Sequence, residues 1–255
     1  MPVPLQKVPV KPGGQRCPTC GFGVRIVRRS DGSADHYEPL TLAAISEELV
    51  GVDKETSDRL KRLREGKKTV AFVGMAATSS SLAPYDDENV EIWGVNEQHH
   101  YVWMKRWDRW FQMHDRKSFS RLHDTRGLAQ HYDWLQENHG KPIYMQHVYD
   151  EVPDSVEYPL GRMIEKFFGN VRKGEEKFKY FTSTMPFMSA LALDEDFDRF
   201  EIYGMEMGGE DEYVAQKACG EFWLGMILGA GKELYLPPNN QILTGGLYGY
   251  QGLLR

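Results

Sequence analysis

From Lys67 onwards, short apolar strand-like runs alternate with longer helical segments. Blocks of the first kind read as strands buried on both faces and segments of the second kind as one-sided helices, so their alternation predicts a parallel sheet covered by helices. The clearest block is residues 70–74, preceded by the pair Lys67-Lys68, and it is expected at the centre of the sheet. Further strands are predicted at 90–95, 109–113, 142–146, 180–183, 199–203 and 233–236, and helices at 118–138, 161–168, 186–194 and 212–228.

Before Lys67 the pattern changes. Residues 1–16 combine prolines and glycines with Lys7, Lys11 and Arg16 and hold little to bury, which reads as a flexible arm. Cys17-Pro18-Thr19-Cys20-Gly21 then precedes two short strand-like runs around Asp31-Gly32, a hairpin signal. A C-x-x-C knuckle beside a hairpin is half of a zinc ribbon. Zinc at Cys17 and Cys20 would need His36 or a partner chain to complete four ligands, and the alternative is a turn without metal. Leu42, Ile45 and Leu49, then Leu60 and Leu63, have helical spacing. Residues 1–66 are therefore expected to form an arm, a CxxC hairpin and a two-helix accessory module, which docks on the main domain or mediates self-association; residues 67–255 form the main domain.

A chain of 255 residues suffices for one substantial domain with an appendage. Its formal net charge of −6 speaks against holding duplex nucleic acid by general electrostatics, which needs a basic face. Three cysteines and the lack of a charged-then-apolar leader suggest a reducing cytoplasm. No apolar run approaches the roughly 20 residues of a membrane helix, so no membrane partner is expected.

In an open parallel sheet the ligand lies outside the carboxyl ends of the strands, and the residues that follow the predicted strands form a coherent polar set. They are Gly74, Ala76, Ser79, Ser80 and Ser81, then Gly94 with Asn96-Glu97, then His114-Asp115, then Thr182-Ser183-Thr184, and lastly Gly204-Met205-Glu206. Amide and hydroxyl groups of this kind suit a base and a ribose, and backbone N–H groups suit phosphate. Neither G-x-G-x-x-G nor the Walker lysine signature is present. His114 is the strongest general-base candidate, with Glu206 as the second. Asp86-Asp87-Glu88 reads as a solvated loop or as oxygen ligands for Mg²⁺ beside a diphosphate. Trp103, Trp107 and Trp110, interleaved with Lys105, Arg106 and Arg109, fit core packing better than base stacking.

The order Val73-Gly74-x-Ala76-x-x-Ser79, Trp93-Gly94-Val95-Asn96, Phe181-Thr182-Ser183-Thr184 and Ile202-Tyr203-Gly204-Met205-Glu206 resembles the bacterial CMP-sialic-acid-dependent sialyltransferases. It is also similar to archaeal hydroxymethylpterin diphosphokinases and to nucleotide-binding proteins of phage genomes, the last through Leu82-Ala83-Pro84-Tyr85 and Trp110-Phe111-Gln112-Met113-His114-Asp115. The resemblance implies an α/β, Rossmann-like parallel sheet with helices on both faces. It implies that Gly74, Ala76, Ser79 and Ser80 face phosphate or ribose, that Gly94 and Asn96 face sugar or base, and that Thr182, Ser183, Thr184 and Gly204 line the donor site.

The function expected on this basis is a glycosyltransferase-like, nucleotide-dependent transferase that moves a group from a nucleotide or nucleotide-sugar donor to an acceptor hydroxyl, in phage nucleotide or DNA modification within a host cytoplasm. An Mg²⁺-dependent diphosphokinase-like enzyme is the alternative. A non-catalytic nucleotide sensor or sponge is a third reading, motivated by the lack of a counterpart to the late histidine of the sialyltransferases. Self-association as a homo-oligomer is compatible with each.

Overall fold

The structure is a computed structural model that describes residues 24–28, 34–39, 54–101, 103–119, 129–205, 207, 211–238 and 240–244. Near the start, β1 (Val24–Arg28) pairs antiparallel with β2 (Ala34–Pro39), the hairpin expected around Asp31-Gly32. Helix α1 (Lys54–Arg64) leads into β3 (Thr69–Val73), the short α2 (Ala77–Ser80), β4 (Val90–Val95) and a 3-10 turn (Asn96–His100). There follow β5 (Arg109–Gln112), α3 (Arg116–Phe119), α4 (Ala129–Leu135), β6 (Ile143–Met145) and β7 (Ser155–Glu157). Then come α5 (Leu160–Phe168), a hairpin of β8 (Arg172–Lys173) and β9 (Glu176–Lys177), α6 (Thr184–Asp194), β10 (Arg199–Tyr203), α7 (Asp211–Gly229) and β11 (Glu233–Tyr235).

Seven strands make one sheet in the order β11-β10-β3-β4-β5-β6-β7, and every adjacent pair is parallel. The chain lays β4 to β7 on one side of β3 and β10 with β11 on the other, so the order reverses between β3 and β10. In open α/β sheets ligands bind outside the carboxyl ends of the strands beside such a reversal.

Side-chain alternation divides the core between the two faces. Val70, Phe72, Trp93, Val95, Phe111, Phe200 and Ile202 point to one face and pack under α5, α6 and α7. Ala71, Val73, Ile92 and Tyr203 point to the other, where Trp110, Ile143 and Met145 meet Phe119 of α3 and Leu135 of α4. Helices therefore cover both faces, and the fold is the Rossmann-like α/β sheet expected. Helix α1 belongs to the second cover: Leu60 is buried, and Arg64 in its last turn donates from Nε and Nη2 to the two carboxylate oxygens of Glu201 at 2.9 and 2.7 Å.

Two elements depart from the pattern-based expectation. Residues 180–183 do not pair with the sheet but lead irregularly into α6. The Tyr180 carbonyl accepts from Trp223 Nε1 at 2.8 Å and from Cys219 at 3.4 Å, and Phe181 packs on Trp223, so this apolar run is held by α7. The seventh strand is instead β7, whose Ser-Val-Glu sequence is half-buried to exposed. As an edge strand it lacks the apolar block that marks a buried one. Of the helix predicted at 118–138, α3 and α4 are seen and residues 120–128 lie outside the described residues, as do Cys17, Cys20 and the first of the two predicted accessory helices.

Candidate ligand site at the carboxyl edge of the sheet

The loops after β3 and β10 meet at the reversal point and brace each other. Gly74 N–H donates to the Tyr203 carbonyl at 2.7 Å and Ala76 N–H to the Gly204 carbonyl at 2.9 Å. In return Gly204 N–H donates to Ser79 Oγ at 2.7 Å. A Cβ on Gly74 would stand 2.3 Å from the Gly204 oxygen, and one on Gly204, whose φ is +63°, 2.6 Å from the Gly74 oxygen. These glycines are required by the contact of one backbone with another. Ser79 and Ser80 are fully buried, and Ser80 Oγ donates to the Ala76 carbonyl at 2.9 Å. The N–H groups of Gly74 and Ala76 and the hydroxyls of Ser79 and Ser80 thus have internal partners, and α2 has only four residues.

Gly94 is likewise a packing position, because a Cβ there would lie 2.3 Å from the Trp110 ring. Asn96, directly after β4, is different. Its φ is +49°, a left-handed conformation that asparagine tolerates better than most residues. Its carbonyl accepts from Trp110 Nε1 at 3.0 Å, while its side-chain Oδ1 is buried with no hydrogen-bond partner. Gln98, fully buried, ties the neighbouring strand ends together: Nε2 donates to the Gly74 carbonyl at 2.7 Å and Oε1 accepts from Val95 N–H at 3.3 Å. Trp103 stacks on Tyr101 with ring centroids 4.4 Å apart, both pack on Met75, and the Trp103 indole N–H is buried without an acceptor.

The amino end of α6 opens on the same edge. Ser183 occupies the N-cap position, yet its hydroxyl makes no capping bond and is buried with no partner. Thr184 begins the helix, and Pro186 in its first turn has no N–H to offer. Thr182 is turned toward α7, donating to the Ala215 carbonyl at 3.3 Å.

His114 follows β5 at this edge. The neighbouring Asp115 accepts from Ser118 N–H at 3.0 Å and from its hydroxyl at 2.8 Å, which holds its carboxyl below the usual carboxylate range and makes it the cap of α3. Gln112 Nε2 lies 3.5 Å from His114 Nδ1. Gln112 continues inward: its Oε1 is 3.1 Å from His131 Nε2, and His131 Nδ1 is 2.9 Å from His99 Nε2. His99 stacks on Trp134 at 4.2 Å and 6°. Burial, with His100, His131 and His139 around it, drives the His99 imidazole from 6.5 down to about 2. The sequence marks Gln112, Gln98, His99 and His131 only as polar residues beside apolar runs. A buried polar residue at a strand end was the available signal.

Of the acidic candidates, Asp87 pairs with Arg64 at 3.3 Å and accepts from Asn89 N–H, while Asp86 and Glu88 are exposed. Glu206 lies outside the described residues. Among the described residues no group of three or more His, Cys, Asp and Glu is placed to hold a metal ion, and no helix is long and apolar enough to cross a membrane. Comparison of the chain with protein-family models, curated proteins and solved structures finds no match in any of the three.

Proposed function

We propose that the protein is a nucleotide-dependent transferase whose donor lies along the carboxyl edge of the sheet, with phosphate at the amino end of α6 and ribose or base toward Asn96. The observation that carries this reading is Ser183, an N-cap serine whose buried hydroxyl caps nothing. The helix behind it leaves first-turn N–H groups for an anion, and its dipole favours negative charge there. Asn96 Oδ1, an acceptor lacking a donor, suits a ribose hydroxyl or an exocyclic amine. The motif resemblance to nucleotide-sugar and diphosphate transferases points the same way. Because the amides after β3 already have partners, the phosphate is assigned to α6 and not to the loop of Gly74.

Calorimetric titration with CMP, UDP, GDP and ATP, with and without Mg²⁺, tests the reading. Binding of at least one nucleotide is expected, weakened about tenfold by Asn96→Ala, in line with the loss of one buried hydrogen bond. No binding of any of the four at millimolar concentration would remove it. Binding that appears only with Mg²⁺ would favour the diphosphokinase-like chemistry over glycosyl transfer.

A further inference from the structure

We infer that Trp103 reads the base of the proposed donor, its buried indole N–H donating to a carbonyl oxygen or ring nitrogen on the edge of a nucleobase. The inference rests on the nucleotide site proposed above and adds to it a residue and a place for the base.

The observation is a contrast among the tryptophans. Trp93, Trp103, Trp110 and Trp223 are buried. Trp93 Nε1 donates to Glu91 Oε2 at 2.9 Å, Trp110 Nε1 to the Asn96 carbonyl at 3.0 Å and Trp223 Nε1 to the Tyr180 carbonyl at 2.8 Å. Trp103 is 5% exposed, and its indole N–H has no acceptor. An indole nitrogen can only donate, and a buried tryptophan ordinarily finds an acceptor for it. The fold leaves this bond to be made.

The position is fixed by local turns. Tyr101 N–H donates to the Gln98 carbonyl at 3.0 Å, Met104 N–H to the Tyr101 carbonyl at 3.1 Å and Lys105 N–H to the Trp103 carbonyl at 2.9 Å, which holds the backbone on either side of the stacked Tyr101 and Trp103 rings. Gln98 ties the same stretch to the Gly74 carbonyl, and Met75, the next residue of that loop, packs on both rings. Trp103 therefore stands beside the β3 loop at the carboxyl edge.

The chemistry selects the base and not the phosphate. Tyr101 and Met75 give the indole aromatic and thioether neighbours, surroundings that suit a flat ring. Asn96 Oδ1, earlier in the same stretch, is the complementary group, a buried acceptor that lacks a donor. A nucleobase edge carries both acceptors and N–H donors. Ionised phosphate oxygens only accept, so they could serve Trp103 but not Asn96.

Spectra of protein labelled with ¹⁵N at the indole nitrogens, with the Trp103 signal assigned through its contact with the Tyr101 ring, test the inference. At least one of CMP, UDP, GDP and ATP should move the Trp103 indole proton downfield, while ribose 5-phosphate and inorganic pyrophosphate leave it in place. Trp103→Phe keeps an aromatic ring and removes the N–H, and should weaken that nucleotide about tenfold by calorimetry. A nucleotide that binds without moving the signal, an equal movement with ribose 5-phosphate or pyrophosphate, or unchanged affinity in the variant would overturn the base-reading role and leave the transferase reading standing. If the variant does not fold, the spectra of the unsubstituted protein decide alone. Failure of all four nucleotides to bind by calorimetry would remove both readings.

Discussion

The two edges of the same sheet are finished to different standards. At the amino edge charged groups meet partners: Arg109 bridges Glu91 and Glu195, Lys67 and Arg199 share Glu233, and Lys232 reaches Asp196 and Asp198. At the carboxyl edge the polar atoms are mostly uncharged, and several are buried with no partner, among them Asn96 Oδ1, Trp103 Nε1, Ser183 Oγ and Asn240 Nδ2. An unmade buried hydrogen bond costs about 1–3 kcal/mol, so four on one edge is a considerable concession in a fold whose net stability is about 5–15 kcal/mol. Ser189 Oγ, inside α6, is buried without a partner away from the edge. The difference teaches that ion pairs here hold the sheet and its covers together, whereas the unpartnered neutral groups gather at the other end, where the proposed donor would lie.

The paired network should break hardest at Glu201. It is fully buried and accepts from Arg64, from Arg199 Nε at 2.8 Å and from the Tyr203 hydroxyl at 2.7 Å. Burial alone would raise its carboxyl, but the two guanidinium groups and the hydroxyl outweigh it and hold the carboxyl below its usual range. Glu201→Gln leaves two buried guanidinium groups facing an amide, and a loss of about 3–5 kcal/mol is expected from denaturant unfolding. A loss under about 1 kcal/mol would mean that these ion pairs are incidental to stability.

Next in size is Gly74→Ala, where the carboxyl edge is finished by backbone and not by charge. The added methyl would meet a carbonyl oxygen that cannot swing aside, so about 1–3 kcal/mol should be lost. Retention of full stability would show that the β3 and β10 loops separate easily and that their amides are open to a ligand after all.

The contrast between the edges also explains how much could be read from the sequence. Strand 70–74 announced itself because burial on both faces forces an unbroken apolar run, whereas 199–203 interleaves Phe200 and Ile202 with Arg199 and Glu201, whose charges are buried only because they pair. Strand β7 was silent because an edge strand pairs through its backbone and needs no such run. Small residues after Gly74 resembled a phosphate cradle, since close approach of a ligand and close approach of a neighbouring backbone require the same glycine. Sequence does not distinguish the two; only the partner at 2.7 Å does. Ser183 and Asn96 were picked out by position after predicted elements, but that their polar atoms stand unpartnered is a property of the folded packing. Gln112, His131 and His99 were missed because the contacts joining them connect different elements.

The histidine cluster supplies a pH test of the carboxyl side. His99 has a folded-state value near 2 against 6.5 when exposed. The unfolded chain therefore takes up a proton as pH falls through 6.5 that the folded chain refuses. The stability tied to this ring is whole above that pH and declines below it, by about 1.4 kcal/mol per pH unit for one proton. Urea midpoints between pH 7.5 and 5 should show this slope, and His99→Gln should flatten it by about one proton. An unchanged slope in the variant would mean that the ring is open to solvent.

The smallest effect on stability should come from Ser183→Ala, and its smallness is the point. An ordinary N-cap serine contributes about 1 kcal/mol through its bond to the helix backbone. Ser183 makes no such bond, so removing its hydroxyl should shift the unfolding free energy by less than about 0.5 kcal/mol, in either direction, because an unsatisfied buried group is lost along with the atom. Nucleotide affinity, read by calorimetry on the same protein, should fall about tenfold through the loss of a hydrogen bond to a charged phosphate. Stability and binding would thus come apart at this residue, as they do not at Glu201. If instead the variant lost a full cap's worth of stability and bound nucleotide unchanged, Ser183 would be an ordinary helix cap, and the carboxyl edge would be as finished as the amino edge.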